Sequence, residues 1–263
     1  MIRVNNLGLS YGDKCILSRA SFEIKAGEIS FIIGKNGTGK TTLANLLCGL
    51  NYDYCGGVVI DGKKLTPKTG IDEIRRLVGM VFQNPDHQII MDNVYDEMKF
   101  TISNFLGEDD IDATIHKQLS MVGLEDHIGR GTFNLSGGEK QRLNIASTLV
   151  TNPRYIILDE ATSMLDDDNR SKIYELAVRL KHLGKGVIFT TNHISELFYA
   201  DSVLIIHQQK VFKYSKTDII KKPGILKKYG FEIPLSFLLE RKLRKMNIKV
   251  DGWKDLVRGV TRL

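Results

Sequence analysis

The run Gly34-Lys35-Asn36-Gly37-Thr38-Gly39-Lys40-Thr41-Thr42 has the spacing G-x-x-x-x-G-K-[ST], that of a phosphate-binding P-loop. Its glycines let successive backbone N–H groups converge on one polyphosphate. Lys40 would reach the terminal phosphates, and the Thr41 hydroxyl would hold Mg²⁺. Much later, Asp159-Glu160 places two carboxylates side by side. The aspartate can serve as the Mg²⁺ partner of the P-loop threonine, and the glutamate can orient and polarise a water. The same pair also suits the first turn of a helix. Ser136-Gly137-Gly138-Glu139 opens a helical pattern that runs from Glu139 to about residue 149. It reads as a second helix N-terminus able to approach an anion, and equally as a serine cap with a glutamate three residues on. Two single residues follow apolar runs, where a parallel sheet presents its ligands: Gln83 after 77–82 and His193 after 187–191. Taken alone, either is an ordinary loop residue.

These groups need a scaffold to hold them. Residues 29–33 read as a buried strand feeding the P-loop, and Leu43, Leu46 and Leu47 fall on one face of a helix that Gly49 would end. Residues 2–4 form a short strand pattern, while 22–24 and 58–62 look like antiparallel strands with turn chemistry. Residues 77–82, 155–158, 187–190 and 203–206 are further apolar strands. Residues 93–122 turn helical, with Gly123 as a stop, and Ile173, Leu176, Ala177 and Leu180 give a helical face. Strands alternating with helices imply an α/β fold with a mainly parallel sheet covered on both faces.

The 263 residues fit one large α/β domain with an appendage, and composition shifts near Tyr214. Cys15, Cys48 and Cys55 form no C-x-x-C pair, so neither a zinc site nor a disulfide framework is indicated. No signal peptide is visible and no apolar run approaches the ~20 residues of a membrane span, so the expectation is a soluble or peripheral protein. The net charge of +6 is uneven: from Gln208 onward there are 15 Lys/Arg against 5 Asp/Glu. Such a basic tail fits an anionic neighbour, either a membrane surface or nucleic acid, or simply a solvated helix face.

Leu135-Ser136-Gly137-Gly138-Glu139 is identical to the ABC ATPase signature, and its place between the P-loop and Asp159-Glu160 resembles that family's order. The resemblance covers residues 2 to about 214. It implies a P-loop ABC ATPase fold over 1–214: a mainly parallel core, an N-terminal antiparallel β subdomain and a helical subdomain at about 84–150. Residues 215–263 would be a basic helical extension. By the same resemblance Tyr11 stacks on adenine, residues 34–42 (Walker A) bind ATP, and Gln83 is the Q-loop glutamine. Asp159 is the Walker B aspartate, Glu160 the catalytic glutamate, Asp166 part of the D-loop, and His193 the switch histidine. Mg²⁺ would be held by Thr41, Gln83 and Asp159. Two such domains pair head to tail, each ATP lying between one P-loop and the other chain's Ser136-Gly137-Gly138. The sequence departs from the family at Asn192 and Ile194, which flank the histidine, and at Gln208-Gln209-Lys210, which replaces a usual Asp-Gly turn and makes an atypical hairpin the expectation.

Val81-Phe82-Gln83-Asn84-Pro85-Asp86-His87-Gln88 is similar to the Q-loop of energy-coupling factor (ECF) importer ATPases, which include the cobalt and nickel systems. The run 93–100 is similar too, although Lys99 and the lack of a glycine after Phe100 depart from it. The run 226–234 resembles those ATPases' C-terminal extension. This implies a peripheral ATPase on the cytoplasmic face of the cell membrane. It would be paired with an identical or paralogous ATPase under a transmembrane coupling protein and an S-component that captures a vitamin or metal ion. No nucleic acid partner is expected on this reading. Another ABC importer, or a soluble ABC ATPase acting on nucleic acid or ribosomes, stays open as an alternative.

Overall fold

The computed structural model describes residues 1–66, 71–105 and 110–246. The chain enters through β1 (Ile2–Tyr11) and β2 (Lys14–Ile24), which pair antiparallel. Both strands are longer than the sequence pattern suggests. Register shifts along their pairing, and the left-handed Asn6 (φ 48°) and Arg19 (φ 51°), interrupt the apolar alternation that would reveal them. Next come β3 (Ile29–Ile33), α1 (Lys40–Leu47), β4 (Tyr54–Ile60), β5 (Lys63–Lys64), α2 (Ile71–Arg75) and β6 (Val78–Val81). The expected strand at 77–82 is thus shorter by a residue at each end. The expected helical stretch at 93–122 is two helices, α3 (Val94–Phe105) and α4 (Ile111–Val122). Each carries its own apolar face, so periodicity alone runs through the break; Asp110, at φ 50°, starts the second helix. Gly123, also left-handed, ends it as expected.

The helix after Ser136, α5 (Gly137–Leu149), starts two residues earlier than the sequence suggests. It leads to β7 (Tyr155–Asp159), α6 (Asp167–His182), β8 (Gly186–Thr191), β9 (Ser202–His207) and β10 (Lys210–Ser215). Two sheets result. One is antiparallel, in the order β2-β1-β4-β5; the other is β10-β9-β3-β8-β7-β6, parallel except for β10. β3 is buried at every position. Its Ile29, Phe31 and Ile33 face a core shared with α3 to α6, while Ile32 faces a second core shared with α1 and the antiparallel sheet. Burial on both faces is why the strand reads as an unbroken apolar run.

The β9–β10 connection is a two-residue hairpin of ordinary geometry, closed by His207 and Lys210, so the expected atypical hairpin is not found and only its residue types are unusual. Gln208 (φ 48°) and Gln209 (φ 61°) are both left-handed, a conformation that normally selects Asn or Gly. The Ser18 N–H donates to the Gln209 carbonyl at 2.8 Å, so β2 holds the turn in place.

After Ser215 come α7 (Lys216–Lys221), α8 (Gly224–Lys228) and α9 (Leu235–Lys245). Ile219, Leu226, Tyr229 and Phe237 from this stretch are buried in the same core as Phe31. Glu240 on α9 is fully buried and pairs with Lys216 at 3.1 Å and Arg244 at 2.7 Å. The stretch is therefore built into the domain rather than trailing from it. Residues 247–263, the remainder of the expected extension, lie outside the described residues.

Candidate functional site

β3 and α1 place the P-loop between them, at the carboxyl end of the parallel sheet. Lys40 is 5 % exposed and donates to the Gly34 carbonyl at 3.1 Å. Gly39 sits at φ 99°, and a Cβ there would fall 2.0 Å from Ile16 Cγ2 of β2, so the turn needs glycine on both counts. The antiparallel sheet thus braces the phosphate loop from below.

β7 delivers Asp159 and Glu160 beside it. The Thr41 hydroxyl donates to Asp159 Oδ1 at 3.2 Å, and the Thr190 hydroxyl donates to the same oxygen. Burial pushes the Asp159 carboxyl above its usual range; the Thr190 and Thr41 hydroxyls act against that shift and the neighbouring Glu160 adds to it. Glu160 is left-handed at φ 48°, a sparsely populated conformation for a residue with a Cβ. Its N–H donates to the Thr190 carbonyl at 3.1 Å and to the Thr190 hydroxyl at 3.0 Å. Its carboxylate lies 3.4 Å from Lys40 Nζ. Thr190 holds both acidic residues from the adjacent strand. The sequence does not single it out: Thr190 is one of two threonines that end β8, and only the register with β7 sets it opposite Asp159.

Tyr11, Asn36, Gly37, Gly39, Lys40, Thr41, Thr42, Gln83, Glu160 and His193 all line one open cleft. Tyr11 is 72 % exposed at its rim. Gln83 reaches across to donate from Nε2 to the Ser163 hydroxyl at 3.4 Å, and that hydroxyl donates to the Glu160 carbonyl at 2.8 Å. Asn192, the departure beside the histidine, donates to Asn36 Oδ1 of the P-loop at 3.1 Å. The donors around Thr41 are oxygens of a hydroxyl, a carboxylate and an amide, a set that suits Mg²⁺.

Ser136, Gly137, Gly138, Glu139 and Asp166 are not among the residues lining that cleft. Ser136 caps α5: its hydroxyl accepts from the Glu139 N–H at 3.3 Å, and its own N–H donates to Glu139 Oε2 at 2.7 Å. The N–H of Ser136 holds the Glu139 carboxyl below its usual range, with Ser136 Oγ and His127 adding to the effect. A Cβ on Gly138 would meet Asn169 at 2.3 Å, while one on Gly137 would meet open space. Arg142 of α5 donates to Asn169 at 2.9 Å, and the Asn169 N–H donates to Asp166 at 2.8 Å. On the other side Gln141 donates to the Phe82 carbonyl at 3.0 Å and Asn144 to the Pro85 carbonyl at 2.9 Å. α5 is thereby tied both to the start of α6 at Asp166 and to the segment from Phe82 to Pro85.

The capping pair has a pH signature. Glu139 has a lowered pKa in the folded chain, so its contribution is present above the usual carboxylate range and is lost as pH falls through the lowered value. Glu139→Ala is expected to cost about 0.5–2 kcal/mol at neutral pH, the usual worth of a cap. In thermal unfolding, the gap to the wild type should narrow as pH drops below the carboxylate range; a gap independent of pH would remove the ionised carboxylate from the capping pair.

The ABC transporter family model matches residues 17–163. The energy-coupling factor transporter ATP-binding protein EcfA1 of Fusobacterium nucleatum is 38% identical over 265 residues, covering 99% of this chain and 98% of that protein. Its namesake in Mycoplasma genitalium is 34% identical, covering 98% of this chain and 94% of that one. Among solved structures, cbiO1 of Clostridium perfringens, part of the ABC transporter complex cbiONQ, superposes with TM-score 0.79 at 31% identity, covering 94% of this chain and 98% of that chain. The ATP-binding cassette MJ0796, as a dimer in a post-hydrolysis state with ADP and Pi, gives TM-score 0.72 at 27% identity, covering 82% of this chain and 98% of that chain. With its P-loop, adjacent carboxylates and signature helix arranged as described, the chain belongs to the ABC transporter ATPase family and, within it, to the ATP-binding proteins of energy-coupling factor transporters.

Proposed function

We propose that this ATPase works as one half of a nucleotide-sandwich pair that powers solute uptake, a vitamin or a transition-metal ion, through an ECF importer. The observation that carries this reading is the division of the site. Lys40, Gln83, Glu160 and His193 share one cleft, whereas Ser136, Gly137 and Gly138 lie apart from it. A single chain on this reading holds two half-sites, and a second ATPase, identical or paralogous, completes each.

The P-loop N–H groups and Lys40 would bind the phosphates, and the Tyr11 ring would stack on the adenine. Thr41, Gln83 and Asp159 would hold Mg²⁺, which when bound neutralises phosphate charge. Glu160, oriented by Thr190, would align a water for attack on the γ-phosphorus and accept its proton as the bond to the bridging oxygen breaks. His193 would contact the γ-phosphate and respond to its departure. The second ATPase's signature helix would close on the same phosphate.

Further features support the membrane partner. A groove beside the Q-loop is lined by Phe82, Gln88, Ile90, Phe100 and Phe105, with Ile90 66% exposed. It suits a short apolar helix from a transmembrane coupling protein. No helix among the described residues is long and apolar enough to cross a membrane. Membrane attachment on this reading is peripheral, at the cytoplasmic face, through the coupling protein. The unit at 1–214 would be the ATPase and 215–263 the extension. Exposed Leu235 and Leu238 on the basic α9 suit contact with a second ATPase near an anionic leaflet.

The test is affinity capture of the chain from detergent-solubilised membranes of its native host, with mass spectrometry of what accompanies it. A transmembrane coupling protein with small S-components is the expected catch, and the S-component would point to the solute. Soluble proteins or nucleic acid alone would overturn the transport reading.

A further inference from the structure

The 3-10 segment Ile194–Tyr199 follows the switch histidine, and it turns Glu196 inward. Glu196 is 5 % exposed, an unusual burial for a carboxyl group that has no place in the nucleotide chemistry. Its Oε1 accepts from the Thr162 hydroxyl at 2.9 Å, and Thr162 is itself 1 % exposed. Thr162 stands two residues after Glu160 and opens the segment that ends at Asp166. Arg170 of α6 approaches the same oxygen, with Nε at 3.9 Å. Its other nitrogens donate to the Leu165 carbonyl at 2.8 Å and to Asp167 at 2.9 Å. The Tyr174 ring is buried beside them, and its phenol is pushed up first by burial and then by the charge of Glu196. At the other end, the Glu196 N–H donates to the His193 carbonyl at 3.3 Å.

These contacts form one continuous path. His193 connects through its carbonyl to Glu196, Glu196 through its carboxyl to Thr162, and Arg170 grips the Leu165 backbone beyond. Glu196 Oε2 and Arg170 Nε have no hydrogen-bond partner among the described residues.

We propose that Glu196 is a positioning residue that locks the D-loop to the switch-histidine segment, so that the two partner-facing loops of one chain move as a unit. This rests on the nucleotide-sandwich reading and deepens it. Glu196 is not among the residues that line the cleft with Lys40, Glu160 and His193. It acts by fixing where Thr162 to Asp166 stand when His193 is engaged. Two later helices reinforce the segment from outside: Lys216 of α7 lies 4.3 Å from the centre of the Phe198 ring, and Leu243 of α9 packs on Phe198.

The test compares Glu196→Ala, Thr162→Val, Thr162→Ser and the double variant Glu196→Ala/Thr162→Val, in the full chain with its partner ATPase. Thr162→Val is nearly isosteric and guards against simple misfolding. The expected result is a kcat about tenfold or more below the wild type for both single variants, with KM for ATP held within about twofold. The double variant should be no worse than the single ones, since one link cannot be broken twice. Thr162→Ser, which keeps the hydroxyl, should restore turnover. Wild-type kcat in Thr162→Val, additive losses in the double variant, or a rise in KM alone would overturn the inference. ATP binding and hydrolysis by the wild type, measured alongside, test the underlying reading separately. Their absence would count against the sandwich site, whereas wild-type turnover with indifferent variants would count only against Glu196.

Discussion

Glu160→Gln is expected to bind ATP with near wild-type affinity and to hydrolyse it roughly 10²- to 10⁴-fold more slowly, the range lost when a positioned general base is removed. The geometry makes the variant clean. The Glu160 backbone is held by the Thr190 carbonyl and hydroxyl, not by its own carboxylate, so an isosteric amide leaves the left-handed turn in place. The amide also removes a negative charge 3.4 Å from Lys40, which favours retention of the phosphates. A stable ATP-bound pair of ATPases should accumulate, visible by size-exclusion chromatography with light scattering. Turnover comparable to the wild type would take the role of base or water-orienting group away from Glu160.

Ser136→Arg carries the second large effect. The substitution lies outside the cleft that holds Lys40, so equilibrium ATP binding should stay within about twofold of the wild type while kcat falls by about 10²-fold or more, the scale of losing an aligned transition-state donor. It also removes the α5 cap, worth about 1 kcal/mol. Ser136→Asp separates the two effects: aspartate keeps a capping oxygen but sets a negative charge toward the second chain's phosphate. Both variants should lose hydrolysis, and only Ser136→Arg should lose thermal stability. Unchanged hydrolysis in both would argue that the site is complete within one chain.

Much of the scaffold was legible because its signals are local. β3 and β7 are buried on both faces and announce themselves as apolar runs, and the P-loop and the Ser136 cap are chemistries of adjacent residues. Legibility failed where local pattern and tertiary contact diverge. β1 and β2 were read only at their ends because bulges scramble the alternation, and α3 and α4 merged because each has the same period. Within the site, Gln83, Glu160 and His193 were nameable from position along the chain. The residues that hold them were not: Thr190 under Glu160, Asn36 beside Asn192, Glu196 against Thr162. Each of these pairs joins segments distant in sequence, and no periodicity encodes them. The packing of α7 to α9 into the main core was hidden likewise, since a Lys-rich composition masks the few apolar residues that anchor it.

The position of β3 sets a timetable for synthesis. The strand that carries the phosphate loop is made early, yet its two neighbours in the sheet, β8 and β9, are encoded only from Gly186 onward. Non-local parallel pairing of this kind forms late, after long segments have been brought together. While the ribosome is still translating α6, Lys40 and Thr41 exist as sequence without a sheet to stand on. A nascent chain released before β8 has emerged would carry the whole P-loop motif and bind no nucleotide, leaving an apolar strand unpaired on both edges and in need of a chaperone.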